Sequence, residues 1–298
     1  MRLATVRDQQ GLTRLFVAGP DQRGYYDVEA ASGATLPALQ GVTDVGSLYR
    51  AGPDAVEAVR RAIADLRPDA GPGVDLASLD LAPPVTHPQA LVCVGRNYRA
   101  HIDEGDAPIP EFPVLFSKFG NALVGDRAAV LLHSMTSELD YEGELAVVIG
   151  RRASRVAIKD ATAVVAGYTI LNDISARDLQ LGDLQWIRGK SLDTFCPMGP
   201  TFVSADEIAD VGDLRIQTRV NGELRQDAPV SDMIFPIPEL IAFITEGITL
   251  IPGDIVATGT PAGTGFGMKP RSWLQLGDTV DVSITQLGTL HSTIEAPQ

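Results

Sequence analysis

Along most of this chain, apolar and polar residues alternate in short runs broken by turn formers, and the helical period is confined to a few stretches. Near the N-terminus RLATVRD, LTRLFVA and YYDVEA read as three short strands separated by polar or Gly-Pro turns. The spacing predicts a helix over residues 54–66. Asp54 and Glu57 stand at capping-box distance, and Val56, Val59 and Ile63 share one apolar face. RPDAGPGVD (67–75) and LAPPVTHP (81–88) are turn-rich breaks. A boundary near residue 85 divides the expectation into a small N-terminal α+β domain, 1–85, and a larger domain, 86–298.

The larger part is rich in strands. Candidates are ALVCVG (90–95), PVLFSKF (113–119), LAVVIG (145–150), GYTILND (167–173), LRIQTRVNG (214–222), DIVATG (254–259), DTVDVSI (278–284) and TLHSTIE (289–295). Asn221-Gly222 between alternating segments is a hairpin signal. Pro238 opens a helix through residues 239–246, with Gly247 as its stop. Many strands with few crossing helices predict an α+β, β-rich fold with antiparallel or mixed sheets, not a doubly wound one. There is no internal repeat and no low-complexity tract.

Composition narrows the function. With 45% apolar and 21% charged residues, the chain can bury a core. A formal net charge of −14 repels phosphate backbones, so nucleic acid is not an expected partner. A small anionic substrate would then need a local positive centre, either a metal or a placed Lys or Arg. The two cysteines, Cys93 and Cys196, have neither redox nor zinc spacing and read as reduced buried thiols in a cytoplasmic protein. MRLATVRDQQ has no apolar signal core, and no run of roughly 18 apolar residues is present, so no membrane association is expected.

Several segments have the residues for chemistry. In ELDYEGELAVVIG (138–150), strand parity puts Glu142 and Glu144 on one face with Ala146 and Val148. Two carboxylates on an apolar face repel each other and lose hydration, which a divalent cation would resolve; a strand end protruding into water fits the same spacing. In YTILNDISARD (168–178), Asp173 ends an apolar strand, as a third oxygen ligand or as an ordinary turn residue. Three carboxylates without nearby Cys or His favour Mg²⁺ or Mn²⁺ over Zn²⁺. In VGRNYRAHIDEGDAP (94–108), His101 and Glu104 lie one helical turn apart. A carboxylate on one ring nitrogen orients the imidazole as a general base, though a solvated loop histidine fits equally. The Gly, Asp and Pro residues of GDAPIPEFP (105–113) have the composition of a mobile lid. Lys190, between Gly189 and Ser191, reads as an oxyanion stabiliser or as a surface lysine. TGTPAGTGFGMKP (258–270) fails both nucleotide-loop patterns. Its backbone amides and the Thr260 hydroxyl would still suit a carboxylate, and a plain glycine-rich connection is the alternative.

Taken together and in order, LVCVGRNYRAH, DYEGELAVVIG, LNDISARD, GKSLDTFCPMGP, VNGELRQ and ATGTPAGTGFG closely resemble the catalytic domain of the fumarylacetoacetate hydrolase family, over roughly residues 88–296. The resemblance implies a mixed β-sandwich roll and a homodimer. It implies Mg²⁺ or Mn²⁺ on Glu142, Glu144 and Asp173, with His101 and Glu104 as a water-activating pair carried on a lid. It also implies Lys190 at the active-site lysine position, Arg177 and Gln180 in the pocket, and Gly259 and Thr260 at the substrate carboxylate. The expected substrate is a small 2-oxo acid.

The leading expectation is metal-dependent hydrolysis of a carbon–carbon bond in an acylpyruvate-like 2,4-dioxo acid, with Lys190 steadying the oxyanion. Decarboxylation or enol–keto isomerisation of a related 2-oxo or hydroxymuconate-type acid uses the same metal without an attacking water. A metabolite-binding protein that kept the fold is the reading from another class.

Overall fold

The computed structural model describes the chain except residues 23, 33–35, 67–70, 106–107, 183–184 and 298. Part of the expected break at 67–75 and of the expected lid at 105–113 therefore lies outside the described residues.

The segments that read as continuous apolar runs form the middle of the large sheet. Strands Gly143–Ile149 and Cys196–Ser204 are buried along their whole length, and Val165–Asn172 is buried from its second residue on. That explains why apolar runs replace alternation there: both faces are covered. From one edge the order is Tyr25–Asp27, Thr13–Ala18, Arg2–Arg7, Cys196–Ser204, Val165–Asn172, Gly143–Ile149, Ile255–Ala257, Leu91–Gly95 and Val114–Ser117. Most neighbours are antiparallel, but Ile255–Ala257 runs parallel to Leu91–Gly95, so the sheet is mixed as expected. The second sheet orders Glu223–Pro229, Arg215–Val220, Thr279–Ile284, Gly288–Glu295 and Ala129–Leu131. Its first pair is the hairpin expected at Asn221-Gly222, with positive φ at both residues (50° and 81°). The sheets approach closely at Gly143, where a Cβ would lie 2.3 Å from Thr218 Oγ1.

Among the described residues, the first 85 build no separate sheet. Leu3 is in register with Phe202, so the N-terminal strands extend the large sheet. Leu48 and Val59 share one apolar core with Ile149 and Phe202.

The predicted helix at 54–66 is found at Pro53–Ala64, but not with the expected cap. Pro53 starts it after Gly52, and no side chain caps it. The capping box lies instead at Asp44 and Ser47, on the preceding helix Val45–Ala51. The buried face is also turned: Ala55, Val59 and Ala62 are buried, whereas Val56 and Ile63 are half-buried. The helix predicted at 239–246 runs Ile237–Thr245, with a proline in its first turn. Among the described residues no helix is long and apolar enough to cross a membrane.

Candidate active site

Strand register assembles the carboxylates. Gly143 pairs with Asn172, and just beyond the ladder the Asp173 amide donates to the Glu142 carbonyl at 2.8 Å. Glu142 and Asp173 therefore sit side by side at a shared strand end, and Glu144 follows on the same face as Glu142. Their relative exposures of 5%, 1% and 0% for Glu142, Glu144 and Asp173 rule out solvated strand-end glutamates. One oxygen from each lies within 4.8 Å of the others.

Cations surround the triad. Lys190 Nζ donates to Glu142 Oε2 and Asp173 Oδ2, both at 2.7 Å. Lys118 Nζ donates to Asp173 Oδ1 at 2.5 Å. Arg177 meets Glu142 Oε1 at 2.6 Å and Asp140 Oδ2 at 2.8 Å, and its Nη1 donates to Gln180 Oε1 at 3.0 Å. Burial alone would raise Glu142, but Arg177 and Lys190 outweigh it and hold the carboxyl well below the usual range. Burial would lower Lys190, and Asp173 and Glu142 more than reverse that. Glu144 behaves oppositely. Burial, then the charges of Asp173 and Glu142, push it well above the carboxylate range.

These residues fit a hard divalent cation. Asp140, Glu142, Glu144 and Asp173 face Lys118, Arg177 and Lys190, which leaves one buried carboxylate without a positive counterpart. All three candidate ligands are oxygens, the donor type that Mg²⁺ and Mn²⁺ prefer. With a dication the cluster would hold one net positive charge, suited to an anionic substrate in an acidic protein.

The sequence signal at His101 also takes shape. Helix Arg99–Glu104 brings Glu104 Oε2 to 3.4 Å from His101 Nδ1. His101 lines a cavity of about 220 Å³ together with Glu142, Glu144, Arg177, Gln180 and Lys190.

The glycine-rich segment 258–270 has a structural part within the site. Its amides hold carboxylates, but the protein's own. Gly259 N–H donates to Glu144 Oε2 at 2.9 Å, and Gly263 N–H to Glu104 Oε1 at 2.7 Å. Gly265 and Phe266 N–H donate to the two oxygens of Asp140 at 2.7 and 3.1 Å, and Asp140 in turn holds Arg177. One loop thus orients a candidate metal ligand, the histidine's partner and the arginine's partner. Thr260 lines the cavity, but its hydroxyl donates to Gly143 O at 3.0 Å and accepts from Gln226 Nε2 at 2.8 Å. The polar groups expected of Gly259 and Thr260 for substrate are therefore engaged within the protein.

Lys118, Asp140 and Gln226 belong to the site and escaped the sequence reading. Gln226 accepts from Gly143 N at 3.0 Å, bolting the second sheet to the strand that carries Glu144. The sequence signals were a lone lysine closing the apolar run PVLFSKF and an aspartate two residues before Glu142.

A family model for the fumarylacetoacetate (FAA) hydrolase C-terminal region matches residues 90–295. The chain is 49% identical over 223 residues to the oxaloacetate tautomerase YisK of Bacillus subtilis, covering 74% of each chain. It is 44% identical over 241 residues to a mitochondrial oxaloacetate tautomerase of Bos taurus, covering 80% of this chain and 76% of the relative. A fumarylacetoacetate hydrolase from psychrophilic Exiguobacterium antarcticum matches in structure with a TM-score of 0.80, at 35% identity over the whole of both chains. On its carboxylate triad, its strand order and these similarities, the chain belongs to the fumarylacetoacetate hydrolase family and is an enzyme of that family.

Proposed function

We propose that the protein interconverts the enol and keto forms of a small 2-oxo acid, oxaloacetate or a close analogue. The observation that carries this reading is one small cavity lined by Glu142 and Glu144 of the oxygen-rich triad and by the oriented His101. Tautomerisation moves one proton between the enol oxygen and the carbon beside the 2-oxo group, and it needs no water. It therefore needs a positive centre for the oxygen and a base for the carbon. The names of the relatives at 49% and 44% identity favour this reaction over the hydrolysis expected from sequence.

A bound Mg²⁺ or Mn²⁺ would polarise the 2-oxo carboxylate and lower the cost of negative charge on its oxygen. Glu142, Glu144 and Asp173 would hold it. Lys118 and Lys190 hold the Asp173 and Glu142 side chains in place by hydrogen bonds. His101 carries the single proton between the carbon and the enol oxygen, taking it from one and delivering it to the other in either direction, and Glu104 fixes the ring. The Gly263 amide keeps Glu104 in place.

Hydrolysis of an acylpyruvate-like acid is the second reading. It is favoured by the capacity of the same dyad to activate water and by the likeness to a fumarylacetoacetate hydrolase at 35% identity. The test is a paired assay with Mg²⁺ or Mn²⁺ that follows loss of enol absorbance from oxaloacetate and loss of dioxo absorbance from an acylpyruvate panel. Acceleration of the first alone supports tautomerisation. Acceleration of the second alone replaces it with hydrolysis.

A further inference from the structure

Three cationic side chains besides His101 line the cavity: Arg96, Arg177 and Lys190. Two are spent on the protein's own carboxylates, Arg177 on Asp140 and Glu142, Lys190 on Glu142 and Asp173. Arg96 differs. Among the described residues no carboxylate pairs with it, and its guanidinium lies 5.7 Å from the centre of the Trp186 ring. The residue is half-buried, so its charge is partly removed from water without a counter-ion.

The backbone is arranged to keep it there. Arg96 has φ 55°, in the left-handed region that a long side chain adopts at a cost. The preceding Gly95 leaves room for Trp186: a Cβ on Gly95 would lie 2.4 Å from Trp186 Cζ3. Phe116 meets Trp186 edge-on, with ring centres 5.4 Å apart, and braces the indole. Strained backbone, a glycine-made gap and a braced indole together fix a guanidinium that no anion among the described residues satisfies. Such strain persists where the surroundings over-determine it, which occurs at ligand-binding positions.

We propose that Arg96 is the specificity-determining residue for a second carboxylate on the substrate, so that the site selects 2-oxo dicarboxylic acids over monocarboxylic ones. The proposal rests on the 2-oxo acid reading above. One end of such a substrate, the 2-oxo carboxylate, faces the triad. The other end is an anion that a planar guanidinium can bind through two parallel hydrogen bonds. Phe116, Ile102 and Phe266 also line the cavity and carry no charge of their own.

Oxaloacetate and 2-oxobutanoate have the same chain length and differ in a distal carboxylate against a methyl group, which makes them a matched pair. In the metal-loaded enzyme, Arg96→Gln should raise KM for oxaloacetate roughly ten- to hundred-fold, the loss typical of a charge-assisted hydrogen bond. The inhibition constant of 2-oxobutanoate should stay within about twofold and kcat should change little, because both depend on the triad and His101. Arg96→Lys, which keeps the charge but loses the fork, should recover part of the KM. Equal weakening of both ligands would show a structural role for Arg96 and overturn the proposal. No change in either would place the distal carboxylate elsewhere and overturn it too. A wild-type enzyme that neither turns over oxaloacetate nor binds 2-oxobutanoate would instead bring down the 2-oxo acid reading, an outcome distinct from failure of the Arg96 variants.

Discussion

Gly267→Ala is a small change aimed at the histidine's partner. Gly267 closes the helical turn Gly265–Gly267 and lies outside the left-handed region, so the backbone itself accepts alanine. The added Cβ, however, would sit 2.4 Å from the Glu104 Cδ and 2.5 and 2.7 Å from its two oxygens. Comfortable contact begins near 3.5 Å, so the carboxylate must retreat by roughly 1 Å. It is the far end of a flexible side chain, 20% exposed, so the retreat costs little folding energy, about 1 kcal/mol or less. The dyad is less forgiving. Glu104 now spans Gly263 N–H at 2.7 Å and His101 Nδ1 at 3.4 Å, and a displaced carboxylate loses that alignment. A 1 Å misplacement in a catalytic array can cost about 10²-fold in rate. Gly267→Ala should therefore lower kcat for enol–keto conversion by up to about 10²-fold, with the melting temperature and metal affinity nearly unchanged. Steady-state kinetics, thermal unfolding and metal titration on one preparation read all three. A kcat within threefold of wild type would refute the claim that this contact sets the dyad.

Other perturbations separate the roles of the buried charges. A raised carboxyl weakens the fold as pH climbs through its unfolded value of 4.5, so in chelator-treated protein Glu144→Gln should be at least as stable as wild type at pH 7. Its metal affinity, read by calorimetry, should fall by more than the roughly 10–100-fold typical of losing a group that only supports a ligand. Lys118→Met leaves Asp173 Oδ1 buried and unpaired, which should cost roughly 3–5 kcal/mol in denaturant titration. Added Mn²⁺ should recover part of that loss. Asp44→Ala removes hydrogen bonds from Ser47 N–H and from the Thr86 amide and hydroxyl, which should cost roughly 2–4 kcal/mol. Burial opposes the Asp44 charge, but those bonds outweigh it and lower the carboxyl below 3.8. Its contribution is therefore fully present above pH 3.8 and lost as pH falls through the folded value, so the difference between variant and wild type should narrow in acid.

What the sequence made legible follows from how local each signal was. Glu142 and Glu144 could be assigned to one face from strand parity, and His101 with Glu104 to one helical turn, because both relations span a few residues. Lys118 meets Asp173 across 55 positions, and no periodicity encodes that contact. Strand Cys196–Ser204 escaped because two prolines and a glycine argue against a central strand; Gly199 and Pro200 fall where its register with Val165–Asn172 shifts. The capping box at Asp44 carries serine at the third position in place of glutamate, a weaker sequence signal than the Asp54 and Glu57 spacing. Segment 258–270 was readable as a carboxylate cradle. Whose carboxylates it holds depends on tertiary contacts that bring Glu104, Asp140 and Glu144 to it.

The central claim is that His101 moves a proton at the carbon beside a 2-oxo group polarised by a cation on Glu142, Glu144 and Asp173. Deuterium incorporation at carbon 3 of oxaloacetate in heavy water, followed by proton magnetic resonance, reads that step itself. The metal-loaded wild-type enzyme should accelerate exchange well beyond the free metal ion. Chelation should abolish the acceleration, and His101→Ala should reduce it by about 10²–10⁴-fold while leaving metal affinity intact. Exchange at the wild-type rate in the His101 variant, or in chelated protein, would contradict the account.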